Sequence, residues 1–253
     1  MQYLDQLQRQ KVFSLDFVTR LTGNENTAKG LLQRYVQKGY IARIRRNLYT
    51  ALDLANKVSL ASRYEIACGL DENAFISHHS ALEFHGVANQ VFNEITVSVG
   101  KRITDFEFEG SFYHAHISDM TIGVIVPPGN PLVRVTNIER TVIDCLNDID
   151  LSGGLDEIVE CLKLLPALDE SRLLECLNAK NIIYLWQKTG FVLQSFADTF
   201  MLSEDFFKEC RSHIRDRKQV LGDGTNKVYY PEWKLYAPGN PVHLNREEGE
   251  PLV

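Results

Sequence analysis

Apolar positions near the start of the chain recur at helical spacing. Leu15, Val18 and Leu21 stand three residues apart with Phe17 beside them, and Ser14 occupies the place of an N-cap. Gly23 interrupts the run and supplies the backbone freedom of a tight turn. Beyond it Ala28, Leu31, Leu32, Tyr35 and Val36 fall at i, i+3, i+4, i+7 and i+8, a full apolar stripe on one helix face. Asn24 or Asn26 caps this second helix, and Lys38 and Gly39 end it. A preceding helix over about residues 2–10 completes a three-helix unit.

The period then changes to two. Tyr40, Ala42, Ile44 and Leu48 fall on one strand face, while Ile41, Arg43, Arg45 and Asn47 fall on the other. Arg46 and Asn47 suit a hairpin tip, because asparagine tolerates the left-handed conformation. The pattern predicts strands over Ile41–Arg45 and Leu48–Ala51, a wing with one packed side and arginines at its tip. Helix, glycine-containing turn, helix and hairpin together read as a winged helix-turn-helix over residues 1–52. On a wheel, the second helix turns Asn26, Gly30, Gln33 and Gln37 away from its apolar stripe, flanked by Thr27, Lys29 and Arg34. Such side chains read base edges or hold phosphates. The candidate DNA-binding residues are therefore Asn26, Thr27, Lys29, Gln33 and Arg34 on the helix and Arg43, Arg45 and Arg46 on the wing.

From residue 56 to about 245 the pattern is mixed. Ser59–Cys68 reads as a helix with Leu60, Tyr64 and Ala67 inward. A short helix follows within Phe75–Gly86, with Ser77 as N-cap and Gly86 as terminator. Strand-like runs cover Glu94–Val99, Phe106–Glu109, Ser111–Ile117 and Thr121–Val126. Thr136 and Glu139 have capping-box spacing ahead of a helix carrying Ile138, Val142, Leu146 and Ile149 on one face. Leu155–Arg217 is mostly helical, and two short strands, Lys227–Tyr230 and Lys234–Tyr236, precede an acidic tail over 246–253 expected to fray. The fold class predicted is α+β, a winged helix-turn-helix followed by a larger mixed α/β domain.

Charge sharpens this division. The whole chain carries −6, yet residues 1–50 hold nine Lys/Arg against three Asp/Glu and the remainder carries −12. A small basic module on an acidic body is the asymmetry of a protein whose one end meets a polyanion. The longest apolar runs are too short to span a bilayer and the first ten residues hold no signal-peptide core, so the expected location is the cytoplasm. Five scattered cysteines without a CxxC pair read as buried hydrophobes.

Candidate chemistry outside the basic module is sparse. His78 and His85, and separately His114 and His116, have spacings that allow a metal, but no zinc-binding spacing of known type accompanies them. Asp105, Glu107 and Glu109 raise the possibility of a metal-dependent nuclease, and alternation equally makes them a solvated strand face. Arg140 and Asp144, at i and i+4, read as a surface or half-buried brace. Trp233 with Tyr229 and Tyr230 reads as core. No Gly-rich phosphate loop or nucleophile elbow is present. Neither catalysis, a cofactor nor a metal is expected.

Four blocks in order carry a family likeness: LLQRYVQKGYIARIRRNLY at 31–49, FISHHSALEFHGV at 75–87, VTNIERTVIDCL at 135–146 and VYYPEWKLYAPGN at 228–240. A fifth, LWQKTGFVLQS at 185–195, is looser, with Lys188 and Thr189 where an Arg-Leu pair is usual. With these blocks the chain resembles the AbiEi family, the antitoxins of type IV toxin–antitoxin systems. Asn47 stands where that family usually has glycine. The resemblance implies a winged-helix transcriptional autorepressor that binds double-stranded DNA at inverted repeats in its own promoter. It also implies a C-terminal domain that counters a nucleotidyltransferase toxin. The alternatives are a ligand-responsive winged-helix regulator without a toxin partner, and a metal-dependent nuclease with a DNA-binding arm.

Overall fold

The structure, a computed structural model, describes residues 3–222 and 227–239; the predicted acidic tail and the end of the second domain lie outside them. In chain order the elements are α1 (Leu4–Gln10), β1 (Val12–Ser14), α2 (Leu15–Thr22), α3 (Glu25–Gln37), β2 (Ile41–Arg45), β3 (Leu48–Ala51), α4 (Arg63–Cys68), β4 (Phe75–Ile76) and α5 (His78–Phe84). There follow β5 (Glu94–Val99), β6 (Phe106–Phe108), β7 (Ser111–Ile117), β8 (Val124–Ile125), β9 (Val135–Thr136), α6 (Ile138–Asn147) and a 3-10 turn (Ile149–Ser152). The last are α7 (Leu155–Leu164), α8 (Glu170–Lys180), α9 (Ile183–Gln194), α10 (Ala197–Phe200), α11 (Glu204–Ser212), β10 (Gln219–Val220), β11 (Val228–Tyr230) and β12 (Leu235–Ala237). The class is α+β.

Contacts divide the chain into two compact units, each discontinuous in sequence. One comprises residues 1–76, 92–120 and 126–135, and the other 77–91, 121–125 and 136–253.

Within the first unit, residues 3–51 build a core of their own. Leu4 and Leu7 of α1, Val18 of α2, and Ala28, Leu31, Leu32 and Tyr35 of α3 close on Phe13, Ile41 and Ala51. Local chemistry places the helices. Ser14 accepts from the Phe17 amide, Gly23 ends α2 in the left-handed conformation, and Asn24, not Asn26, caps α3 by accepting from the Thr27 amide. The strands pair antiparallel in the order β1-β3-β2, with Asn47 left-handed at the two-residue tip (φ 61°).

The hairpin departs from simple alternation. Its register shifts between Arg43 and Arg45, a bulge that turns Ile44 inward on the same side as Ile41, so both are buried. Val36, expected in the apolar stripe, is 40% exposed because the stripe of α3 closes at Tyr35.

The rest of the first unit is a sheet with neighbours in the order β6-β7-β5-β4-β9. β5 runs parallel to β7, and Ile95, Val97 and Val99 of β5 are fully buried. The helix read over Ser59–Cys68 begins only at Arg63, because Ser62 and Glu65 form a capping box that fixes its start.

The second unit buries a larger core, from Leu82 through α6–α11 to Trp233 and Leu235. Gly190 of α9 lets Trp233 lie against the helix backbone: a Cβ there would come within 2.2 Å of the indole. β10-β12-β11 closes the unit. Helix α6 is capped by Asn137, which accepts from the Arg140 amide, and not by Thr136, whose hydroxyl bonds Thr141. Glu139 reaches the Asp169 amide instead of a capping partner. Arg140 and Asp144, expected near the surface, are buried and 2.8 Å apart. Lys180 adds a second cation 2.6 Å from Asp144. Burial raises the Asp144 pKa, but Arg140, His78 and Lys180 together hold it below the ordinary carboxylate value.

Candidate nucleic-acid interface

Helix α3 displays its polar face to solvent: Asn26, Thr27, Lys29, Gln33 and Arg34 are all exposed. Gly30 lies between them with open space where a Cβ would stand, so a phosphate or base edge can approach the backbone closely. Lys29 pairs with Glu25 at 2.6 Å, but both are more than half exposed, so the pair is worth little and the ammonium stays available.

The eight predicted residues do not form one patch. Lys29, Gln33 and Arg43 share a groove of about 380 Å³ between α3 and the hairpin, with Gln37, Asn47 and Val36. Thr27 and Arg34 line a different hollow, with Tyr3, Thr22 and Lys38. Asn26 is exposed on the first turn of α3 and Arg46 at the hairpin tip. Arg45 is held by its own chain: its guanidinium donates to the Thr104 carbonyl at 3.3 Å and lies 5.2 Å from the Phe106 ring centroid. Arg43 donates to the Arg45 carbonyl at 3.3 Å and is otherwise free to reach outward. Val36 is the groove residue that periodicity assigned to the core; its place at the end of the apolar stripe, beside the hairpin, was the available signal.

Comparison with known proteins gives a likeness of fold. No family model matches the chain, and no curated protein matches it. Among solved structures, it is similar to the crystal structure of RV2827C protein from Mycobacterium tuberculosis, with a TM-score of 0.65 and 13% sequence identity. The match covers 95% of this chain and 92% of that one. At that identity the likeness is one of fold.

His78 bonds Ser77 and faces Asp148 at 3.4 Å, His85 bonds the Thr136 carbonyl at 2.7 Å, and His114 bonds Asp105 at 2.9 Å. Asp105 also accepts from the Ala115 amide and Glu109 from the Ser59 amide, so these two carboxylates are engaged within the chain.

The second unit contains a cleft of about 740 Å³ that sequence reading did not assign. The 3-10 turn and the Gly153-Gly154 start of α7 form one wall, and Tyr184, Lys188 and Val220 another. Lys188 is 94% buried, donates to the Asn147 carbonyl at 3.0 Å and lies 4.7 Å from the Tyr184 ring centroid. Burial lowers its pKa to about 8, with Asp148 acting in the opposite direction. Lys188 is the lone charged residue between Ile182 and Leu193, and that was the available sequence signal.

Proposed function

We propose that this chain is a DNA-binding antitoxin and autorepressor of a type IV toxin–antitoxin operon, acting in the cytoplasm without catalysis of its own. Its first 52 residues are read as a winged helix-turn-helix, with α3 entering the major groove and the β2–β3 hairpin as the wing. The observation that carries this reading is the convergence of Lys29, Gln33 and Arg43 on one groove, beside the bare backbone of Gly30. The local balance of +6 over residues 1–50 supplies the attraction to phosphate. Inverted repeats in its own promoter, and a nucleotidyltransferase toxin as functional partner, come from the AbiEi resemblance of the sequence blocks.

Footprinting the full chain on its own promoter region tests the DNA reading. Protection of two related half-sites is expected, and equal binding to random duplex would overturn sequence-specific repression. Co-expression with a nucleotidyltransferase from a neighbouring reading frame tests the antitoxin reading, with restored growth as the expected result.

A second reading, a ligand-responsive regulator without a toxin, is favoured by the cleft around Lys188, which has the size of a small-molecule site. Specific promoter binding without growth rescue would select it.

A further inference from the structure

Helices α5 and α7 each present an i, i+4 pair of metal-binding side-chain types. On α5 the pair is His79 and Glu83, and on α7 it is Glu157 and Cys161. The two pairs meet in the interior of the second unit. His79 Nε2 lies 3.0 Å from Glu157 Oε1, and Cys161 Sγ lies 3.3 Å from the same oxygen. One ligand atom from each of His79, Glu157 and Cys161 falls within 4.8 Å of the others, and all three side chains are buried.

We propose that His79, Glu157 and Cys161 are the protein ligands of a zinc ion. Tetrahedral zinc holds N, O and S donors at roughly 2.0–2.3 Å, which leaves the donors about 3–4 Å from one another. The His79–Glu157 and Cys161–Glu157 spacings of 3.0 and 3.3 Å fall in that range, and the third pair lies within 4.8 Å. Thiolate, imidazole and carboxylate together select zinc over magnesium or calcium, which prefer oxygen alone.

The surroundings are those of a metal centre's outer shell. His79 Nδ1 faces the Glu83 carboxylate at 3.3 Å, which orients the ring and strengthens Nε2 as a donor. Asn89 Nδ2 holds the other Glu157 oxygen at 3.0 Å, and the Gln90 amide donates to Glu157 Oε1 at 2.9 Å. The Asn89 amide donates to Cys161 Sγ at 3.4 Å, a contact that stabilises negative charge on sulfur. On binding, the imidazole and the thiol release any protons they carry on the ligating atoms, and water completes the coordination. The ion then clamps α5 and the Asn89–Gln90 segment to α7, a structural role independent of the DNA-binding reading.

The test uses the full chain. After chelator treatment and gel filtration, added Zn²⁺ is expected to be retained at one equivalent and to raise the Tm by roughly 5 °C or more. Co²⁺ in place of zinc is expected to give the visible bands of a tetrahedral site and a near-ultraviolet sulfur-to-cobalt charge-transfer band. C161A should lose the charge-transfer band, and H79N should lose at least tenfold in zinc affinity, with far-UV circular dichroism confirming that each variant folds. If wild-type protein retains no zinc and gives only the spectrum of aqueous cobalt, the proposal fails. Retention with a charge-transfer band unchanged in C161A overturns it equally, because the thiolate then lies elsewhere.

Discussion

The Arg45 guanidinium lies over the Phe106 ring at 5.2 Å and donates to the Thr104 carbonyl. Arg45 is thus held against a distant part of its own chain, while Arg43, which bonds only the neighbouring Arg45 carbonyl, and Arg46 stay exposed. Arginines that look equivalent in sequence stand in different surroundings.

Salt dependence should separate them. Each phosphate contact removed lowers the slope of log affinity against log salt by about 1. R43A and R46A are each expected to flatten the slope by about that amount. R45A should leave the slope nearly unchanged and lower the Tm slightly. Equal effects of all three on the slope would remove the distinction, and no effect of any would take the hairpin out of the DNA interface.

Gln33 sits in the groove beside Lys29 and Arg43, exposed and on the outward face of α3. A glutamine that pairs with a base edge contributes about 1–3 kcal/mol of discrimination at one position. Q33A should relax preference at one base pair of each half-site, measured by binding to a set of single-position operator variants. A uniform loss across all variants would assign Gln33 to backbone positioning.

Acid stability should depend on Asp144. Its pKa in the folded chain is lower than the ordinary carboxylate value of 3.8, so the stabilisation it brings is fully present above about pH 4 and is lost as pH falls through the folded value. D144N leaves Arg140 and Lys180 without their carboxylate and is expected to cost about 3–5 kcal/mol at pH 7. The penalty should shrink toward acid pH in urea titrations. A constant penalty between pH 7 and pH 2 would show that packing, and not charge, dominates at this site.

Lys188 has the opposite sense. Its folded pKa of about 8 lies below the ordinary lysine value of 10.5, so its charged form is disfavoured by folding. The penalty is full below about pH 8 and is relieved as pH rises toward 10.5. K188M should raise stability at pH 7 by about 1–3 kcal/mol, discounting the lost bond to Asn147, and the gain should vanish near pH 10.5. A destabilised K188M at both pH values would mean that the Asn147 contact outweighs the buried charge.

The sequence by itself determined the elements whose causes are local. Ser14 and Gly23 bound α2, the i, i+3, i+4 stripe places α3, and β2 and β3 fall where period-two spacing and a left-handed Asn47 put them. Strands β5 and β7 were legible for the same reason. Exposure of Asn26, Thr27, Lys29, Gln33 and Arg34 followed from the wheel, because a helix's outer face is fixed once its inner face is. Tertiary structure decided the rest. A bulge placed Ile41 and Ile44 on one side, and Phe106, sixty-one residues from Arg45, drew that arginine out of the expected patch. His79 and Glu157 are seventy-eight residues apart, and Lys188 meets Asn147 across forty-one. Periodicity reports which way a side chain points from its own element; what it then meets depends on how distant elements pack, and no local pattern carries that.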